Sequence, residues 1–162
     1  MKRRLAAAVV MTGALAASCA SDGAAKAARA GKDAPSSAAA SATAGALPDA
    51  ALPKGACGMI LWTLDAERPI PVFRAVSQKG AEVNVDGAVR QLALAAADGG
   101  SGFGVFERQT FTGDGLTVTV RVRFGLGFEG GSYLERGLLS IEKPDGWKAV
   151  VPAAGIAGCR AK

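Results

Sequence analysis

Apolar and polar residues alternate at every second position along residues 116–126. Side chains in a β-strand point to opposite faces in turn, so this pattern predicts a strand with one buried and one exposed face. The face predicted to be buried carries Val118, Val120, Val122, Phe124 and Leu126. The face predicted to be exposed carries Thr117, Thr119, Arg121 and Arg123. This strand assigns the chain to the β class.

Short runs rich in strand-forming residues, separated by turn residues, fill the chain from Cys57 onward. Asp86-Gly87 is a strong signal for a two-residue hairpin, and glycines predict further tight turns in residues 113–115 and 144–146. The predicted strands cover residues 59–64, 70–76, 81–85, 88–94, 103–112, 116–126, 133–142 and 147–151, with residues 95–100 as a loose connection. Short connections favour antiparallel neighbours. The predicted fold is all-β: a small antiparallel meander of about eight strands that closes into a barrel or a coiled sheet.

The hairpin that follows the central strand has a predictable register. With Gly130-Gly131 as its loop, Val122 lies opposite Leu139 and Val120 lies opposite Ile141, all on the core side. A slip of one residue would turn Leu139 and Ile141 towards the arginines. The apolar pattern therefore favours pairing of residues 116–126 with residues 133–142.

The hairpin that precedes the central strand places two polar side chains, Glu107 and Gln109, on the core side. A buried carboxylate without a partner is costly, so two alternatives follow. A β-bulge or a position at the barrel rim takes Glu107 out of the core, or Glu107 and Gln109 line a wet cavity. In either case the residues predicted to share the outer face are Phe106, Arg108, Arg121 and Arg123, with Arg90 as a further candidate.

Residues 1–19 have the layout of a secretory signal, because three basic residues precede an apolar run that ends in small residues. The run is too short to span a bilayer as a permanent helix. Its end, Leu15-Ala16-Ala17-Ser18-Cys19, resembles the lipobox of bacterial lipoproteins. The resemblance implies cleavage before Cys19 and attachment of a lipid to its sulfur. With Ala20 as the next residue, it also implies an anchor in the outer membrane, facing the periplasm.

Cleavage after Ala20 by ordinary signal peptidase is the alternative, and it would release a soluble periplasmic protein. In both cases residues 20–56 are predicted to be a disordered tether, because alanine, serine, glycine and proline dominate them. Residues 57–162 then form the β domain.

Three cysteines are present, and Cys19 belongs to the signal region. Cys57 and Cys159 remain as a pair at the two ends of the β domain, which predicts a disulfide in an oxidising compartment. The formal charge of +5 does not indicate nucleic-acid binding, since residues 57–162 carry twelve basic against eleven acidic residues.

The chain has no histidine, so it lacks Ser/His and Cys/His nucleophile pairs and histidine metal sites. The glycines lie between predicted strands, where they indicate hairpins and not a phosphate-binding loop. Glu107 and Glu135 are placed too far apart along the sheet to favour a pair of catalytic carboxylates. The sequence thus favours a protein that is not an enzyme and needs no metal or cofactor.

Two hypotheses of function follow. In the first, the tethered domain binds another envelope or extracellular component through Phe106, Arg108, Arg121 and Arg123, since arginine beside an aromatic residue is typical of interaction hot spots. The alternative to a binding site is an ordinary solvent-exposed face, in which the arginines pair with Glu142. In the second hypothesis the barrel holds an apolar ligand, with Glu107 and Gln109 as polar anchors.

A narrower form of the first hypothesis rests on Ser101-Gly102. This pair is similar to a motif of the lysozyme-inhibitor lipoproteins, which share a tethered antiparallel barrel with a disulfide. The resemblance implies inhibition of a cell-wall hydrolase. This chain has Val105 at the place of the family's tyrosine and no Lys-Gly pair in the strands that follow, so Ser101 is the one residue that carries over.

Overall fold

A computed structural model describes residues 44–64 and 67–162 of the protein. In this part of the chain the structure is all-β and has no helix. The strands are β1 (Ala44–Gly45), β2 (Cys57–Thr63), β3 (Pro71–Val76), β4 (Gly80–Val85), β5 (Ala88–Gly102), β6 (Val105–Gly113), β7 (Leu116–Phe128), β8 (Gly131–Glu142) and β9 (Lys148–Cys159).

Strands β2 to β9 form a closed antiparallel barrel in which each strand pairs with its neighbours in sequence. The barrel closes between β2 and β9, and Cys57 lies directly opposite Cys159 in that ladder. The two cysteines form a disulfide with an S–S distance of 2.00 Å. The predicted meander, its closure and the disulfide are therefore confirmed.

Tight turns connect the strands. In Asp86-Gly87 and Asp114-Gly115 both residues have positive φ angles. This conformation matches the twist of a two-residue hairpin. The turns at one end of the barrel, end A, are residues 77–79, 103–104 and 129–130, beside the disulfide.

The interior of the barrel is filled by side chains. Phe73 and Phe111 meet edge to face with their ring centroids 5.4 Å apart, and both are buried. The other large side chains with almost no exposure are Met59, Leu61, Leu134, Leu139, Ile141, Val72, Val83, Val105, Val118 and Val120. Close packing of this kind leaves little room for a bound molecule.

The central strand β7 has the predicted faces over most of its length. Val118, Val120 and Val122 are buried, and Phe124 packs partly against the core. Leu126, however, was predicted to be buried and is 78% exposed. The register between β7 and β8 shifts between Phe124 and Gly127, and such a bulge breaks the alternation of faces.

The predicted register of the β7–β8 hairpin is wrong by two residues. Its loop is Glu129-Gly130 in the structure, so Val120 lies opposite Leu139 and Val118 lies opposite Ile141. A shift of two residues keeps every side chain on its face. The prediction of which residues face the core therefore survives the error.

Residues 95–100, predicted to be a loose connection, belong to β5 instead. The β5–β6 register shifts twice, between Leu94 and Ala96 and between Asp98 and Ser101. Extra residues at these bulges let β5 continue to the end of the barrel although its pattern is irregular.

The described part of the chain also includes residues that the sequence analysis assigned to the tether. Ala44 pairs with Val85, so β1 pairs with the last residues of β4, past the point where the β3–β4 ladder ends. Leu47 and Leu52 are buried against the barrel, which gives this segment apolar contacts of its own. The predicted signal, Cys19 and residues 20–43 of the tether lie outside the described residues.

Candidate functional site

The predicted outer-face residues Phe106, Arg108, Arg121 and Arg123, called the arginine face below, lie together on β6 and β7. Arg108 is directly opposite Arg121 across the two strands. Arg123 follows two residues later on β7 and lies opposite Glu135 of β8. All three arginines are exposed, and Phe106 is half-buried.

The arginines have few acidic partners. Arg108 reaches Asp98 at 3.4 Å, and both side chains of this pair are more than half exposed. In residues 44–64 and 67–162 neither Arg121 nor Arg123 forms an ion pair. Glu142, which was the expected partner of the arginines in a solvent-exposed face, forms an ion pair with Lys148 at 2.9 Å instead. Among the described residues, the two cationic groups of Arg121 and Arg123 therefore have no ion-pair partner.

A depression lies beside Arg121 on the outer surface, and its volume is about 250 Å³. Besides Arg121, the residues that line it are Thr117, Thr119, Leu138, Ser140, Glu142 and Lys148. The predicted register placed Ser140 opposite Arg121, and it did not bring Leu138 next to that arginine. In the structure Arg121 is opposite Leu138, and Thr119 is opposite Ser140.

Exposed apolar side chains also occur on β7, β8 and β9, and one of them, Leu138, lies directly opposite Arg121. We call this group the apolar flank, and it consists of Leu126, Phe128, Tyr133, Leu138 and Val150. The rings of Phe128 and Tyr133 lie 5.1 Å apart and form a small aromatic cluster on the outer surface. Exposed apolar groups gathered on one side of a small protein are typical of an interaction surface.

The ladder between β6 and β7 ends early. Its last pair towards end A is Arg108 with Arg121, although β6 begins at Val105 and β7 continues to Phe128. The β5–β6 turn lies against the β3–β4 turn instead. Gly104 is so close to Ser77 that an added Cβ would overlap the Ser77 hydroxyl group. A seam therefore opens between β6 and β7 at end A.

Glu107 and Gln109 both lie next to this seam. Oε2 of Glu107 accepts a hydrogen bond of 3.2 Å from the backbone N–H of Gly100, which lies in a bulge of β5. Gln109 is buried, and its Oε1 accepts a hydrogen bond of 3.2 Å from the N–H of Phe106. Glu107 itself is half-buried. The bulge that supplies a hydrogen-bond donor to Glu107 therefore lies in β5, the strand opposite it, and not in β6.

The predicted cavity is small. Gln109 lines a space of about 20 Å³ near Ser77 and Gly104, and Glu107 does not line it. A space of this size suits about one water molecule. A larger groove of about 290 Å³ lies outside the barrel near the disulfide, where Leu52, Ile60 and Phe128 contribute apolar surface. Neither polar candidate lines that groove.

Ser101 is exposed at the end of β5, opposite Phe106 in the ladder with β6. It therefore lies at end A beside the arginine face. Among the described residues, no group of three acidic or cysteine side chains is arranged to hold a metal ion. The same residues include no helix that is long and apolar enough to cross a membrane.

Comparison with protein families, curated proteins and solved structures finds no significant match to this chain.

Proposed function

We propose that the protein is a non-catalytic lipoprotein of the bacterial cell envelope, whose barrel binds another envelope or extracellular component through the arginine face. The observation that carries the proposal is the pair Arg121 and Arg123, which are exposed and form no ion pair with described residues. They lie next to the apolar flank. Arginine beside aromatic and aliphatic side chains that become buried when a partner binds is typical of binding hot spots.

The chemistry of the chain supports binding over catalysis. No histidine is available as a general base, and the two cysteines of the barrel are joined in a disulfide. Glu107 is engaged by the β5 backbone. The proposal therefore assigns no cofactor and no reaction.

The position in the envelope follows from the lipobox-like residues 15–19, with Cys19 as the lipid attachment site. In the sequence, residues 20–43 separate Cys19 from β1. Substitution Cys19→Ser is expected to move the protein from the membrane fraction to the soluble fraction of the periplasm. The intact mass of the wild-type protein should exceed that of residues 19–162 by the mass of the lipid, and a wild-type mass without this excess would refute the anchor.

Inhibition of a cell-wall hydrolase is a specific form of this proposal, since Ser101 is exposed beside the arginine face. It is tested by adding the barrel to lysozyme and measuring lysis, with Ser101→Ala as the matched variant. The alternative of an apolar ligand inside the barrel is disfavoured by the filled interior and the small space at Gln109.

The decisive experiment is capture of partners from an envelope extract by the mature protein and by Arg121→Glu with Arg123→Glu. The matched control is Arg68→Glu with Lys79→Glu, which changes the net charge equally at exposed positions on other parts of the barrel. Reversal of charges that pair across an interface weakens binding by about tenfold or more. A partner lost only in the first variant supports the proposal, and equal recovery by all three proteins would refute it.

A further inference from the structure

The edge of β7 beyond Arg121 is free on the side of β6. No pair of the β6–β7 ladder lies beyond Arg108 and Arg121, whereas β7 continues through Val122 to Phe128. On its other side the same segment pairs with β8. Among residues 44–64 and 67–162, the segment is therefore held in an extended conformation with no strand paired to one of its edges.

Specific contacts keep this edge open. Gln109 binds the N–H of Phe106 with its side chain, at a position where β6 would otherwise pair with β7. Phe103 packs partly against the core, and Gly104 fits closely against Ser77. These contacts direct the end of β6 towards β3 and β4. The opening thus results from packing and hydrogen bonds inside the domain, and fraying of strand ends is not needed to explain it.

An open strand edge presents N–H and C=O groups that can pair with another extended chain. Soluble proteins commonly protect such edges with proline, charged side chains or bulges; residues 122–128 contain no proline, and Arg123 is the charged residue among them. A bulge at Gly125 and Leu126 divides the edge into two parts. The first part presents Arg121 and Arg123 on the outer face, and the second presents Leu126 and Phe128.

We propose that this edge binds an extended peptide segment of a partner protein, which joins the sheet as an additional strand next to β7. The inference rests on the proposed function and names the class of its partner. Side chains on adjacent strands contact their direct neighbours, so the arginines select acidic residues and the apolar part selects apolar residues. In antiparallel pairing the apolar residues of the peptide come first in its sequence and the acidic residues come last.

The probe is a synthetic capped heptapeptide with the sequence Val-Thr-Val-Ser-Glu-Thr-Glu, added to the soluble mature form, residues 21–162. Binding should slow hydrogen exchange of backbone amides within residues 122–128 and shift their NMR signals. Two versions of the peptide carry N-methyl groups on alternate residues. Because alternate N–H groups of a strand face opposite edges, one version should bind at least about tenfold more weakly and the other should bind as the parent does.

The peptide with the reversed order of residues tests the direction of pairing, and weaker binding of this peptide is expected. Arg121→Glu with Arg123→Glu should weaken binding of the parent peptide by about tenfold or more. Equal affinity of both N-methylated versions would overturn the added-strand proposal, even if the charge reversal still abolished binding. Cosedimentation with phosphatidylglycerol vesicles in place of peptide binding would also overturn it, in favour of a membrane surface.

The two proposals fail in distinguishable ways. Loss of a captured partner in the charge-reversed variant, together with no protection of residues 122–128 by the peptide, leaves the arginine face as a binding site and refutes the added strand. Equal capture of partners by the wild-type protein and the charge-reversed variant refutes the proposed function itself.

Discussion

Removal of the disulfide should destabilise the barrel while leaving its native structure intact. Cys57 and Cys159 are 102 residues apart in sequence, and they lie opposite each other at the end of the β2–β9 ladder. The ladder continues from Cys57 to Thr63 and does not need the disulfide to form. The main effect of the bond is therefore expected in the unfolded chain, which it restricts.

The size of this effect follows from the length of the closed loop. A loop of this length corresponds to about 4–5 kcal/mol in the chain-entropy treatment. A domain of this size has a total free energy of unfolding of roughly 6–18 kcal/mol, so the loss is a large share of it. The melting temperature should fall by roughly 15–20 °C.

The assay is urea denaturation of the wild-type protein and of Cys57→Ala with Cys159→Ala. The variant should unfold at lower urea, and the dependence of its unfolding free energy on urea should steepen because its unfolded chain is more expanded. Reduction of the wild-type protein should reproduce the variant, since Cys159 is exposed. A loss below about 1 kcal/mol would refute this reasoning, as would loss of NMR contacts between Gly58 and Gly158.

Two further substitutions test the packing of the barrel. Gly155→Ala should cost about 1–3 kcal/mol in thermal unfolding, because the added Cβ would overlap the carbonyl oxygen of Ile60, whereas at Gly127 the nearest atom is 3.8 Å away and the same change should have little effect. Similar losses at both glycines would contradict the described β2–β9 contact. Gln109→Leu should lower the free energy of unfolding by about 1–3 kcal/mol in urea, because it leaves the N–H of Phe106 without its acceptor. An unchanged stability would show that this hydrogen bond does not hold the seam.

The strand faces could be predicted from the sequence because they depend on a period of two. Val118 and Val120 are buried for the reason that the pattern gives, and an error of two residues in the hairpin did not change this. Bulges could not be predicted in the same way. The conformation of Arg136, with a φ of 49°, and the extra residues Gly125 and Leu126 depend on contacts between strands.

The candidate site was predicted in part. Arg108 and Arg121 belong to neighbouring strands joined by a short turn, so their proximity followed from the hairpin. The seam between β6 and β7 beyond these two arginines could not be predicted from the hairpin. It depends on contacts between residues distant in sequence, such as that of Gly104 with Ser77. Gln109 was a useful signal, since a polar residue at a core position marked the place where the ladder ends.

Site-specific photo-crosslinking in cells tests most directly whether this side of the barrel binds a partner. A photoreactive phenylalanine analogue is placed at Leu126 in the apolar flank, or at Val89, which is 41% exposed on β5. The proposed function predicts a discrete crosslinked protein for position 126 that disappears with Arg121→Glu and Arg123→Glu, and no such product for position 89. The same products from both positions, or none from position 126, would contradict it.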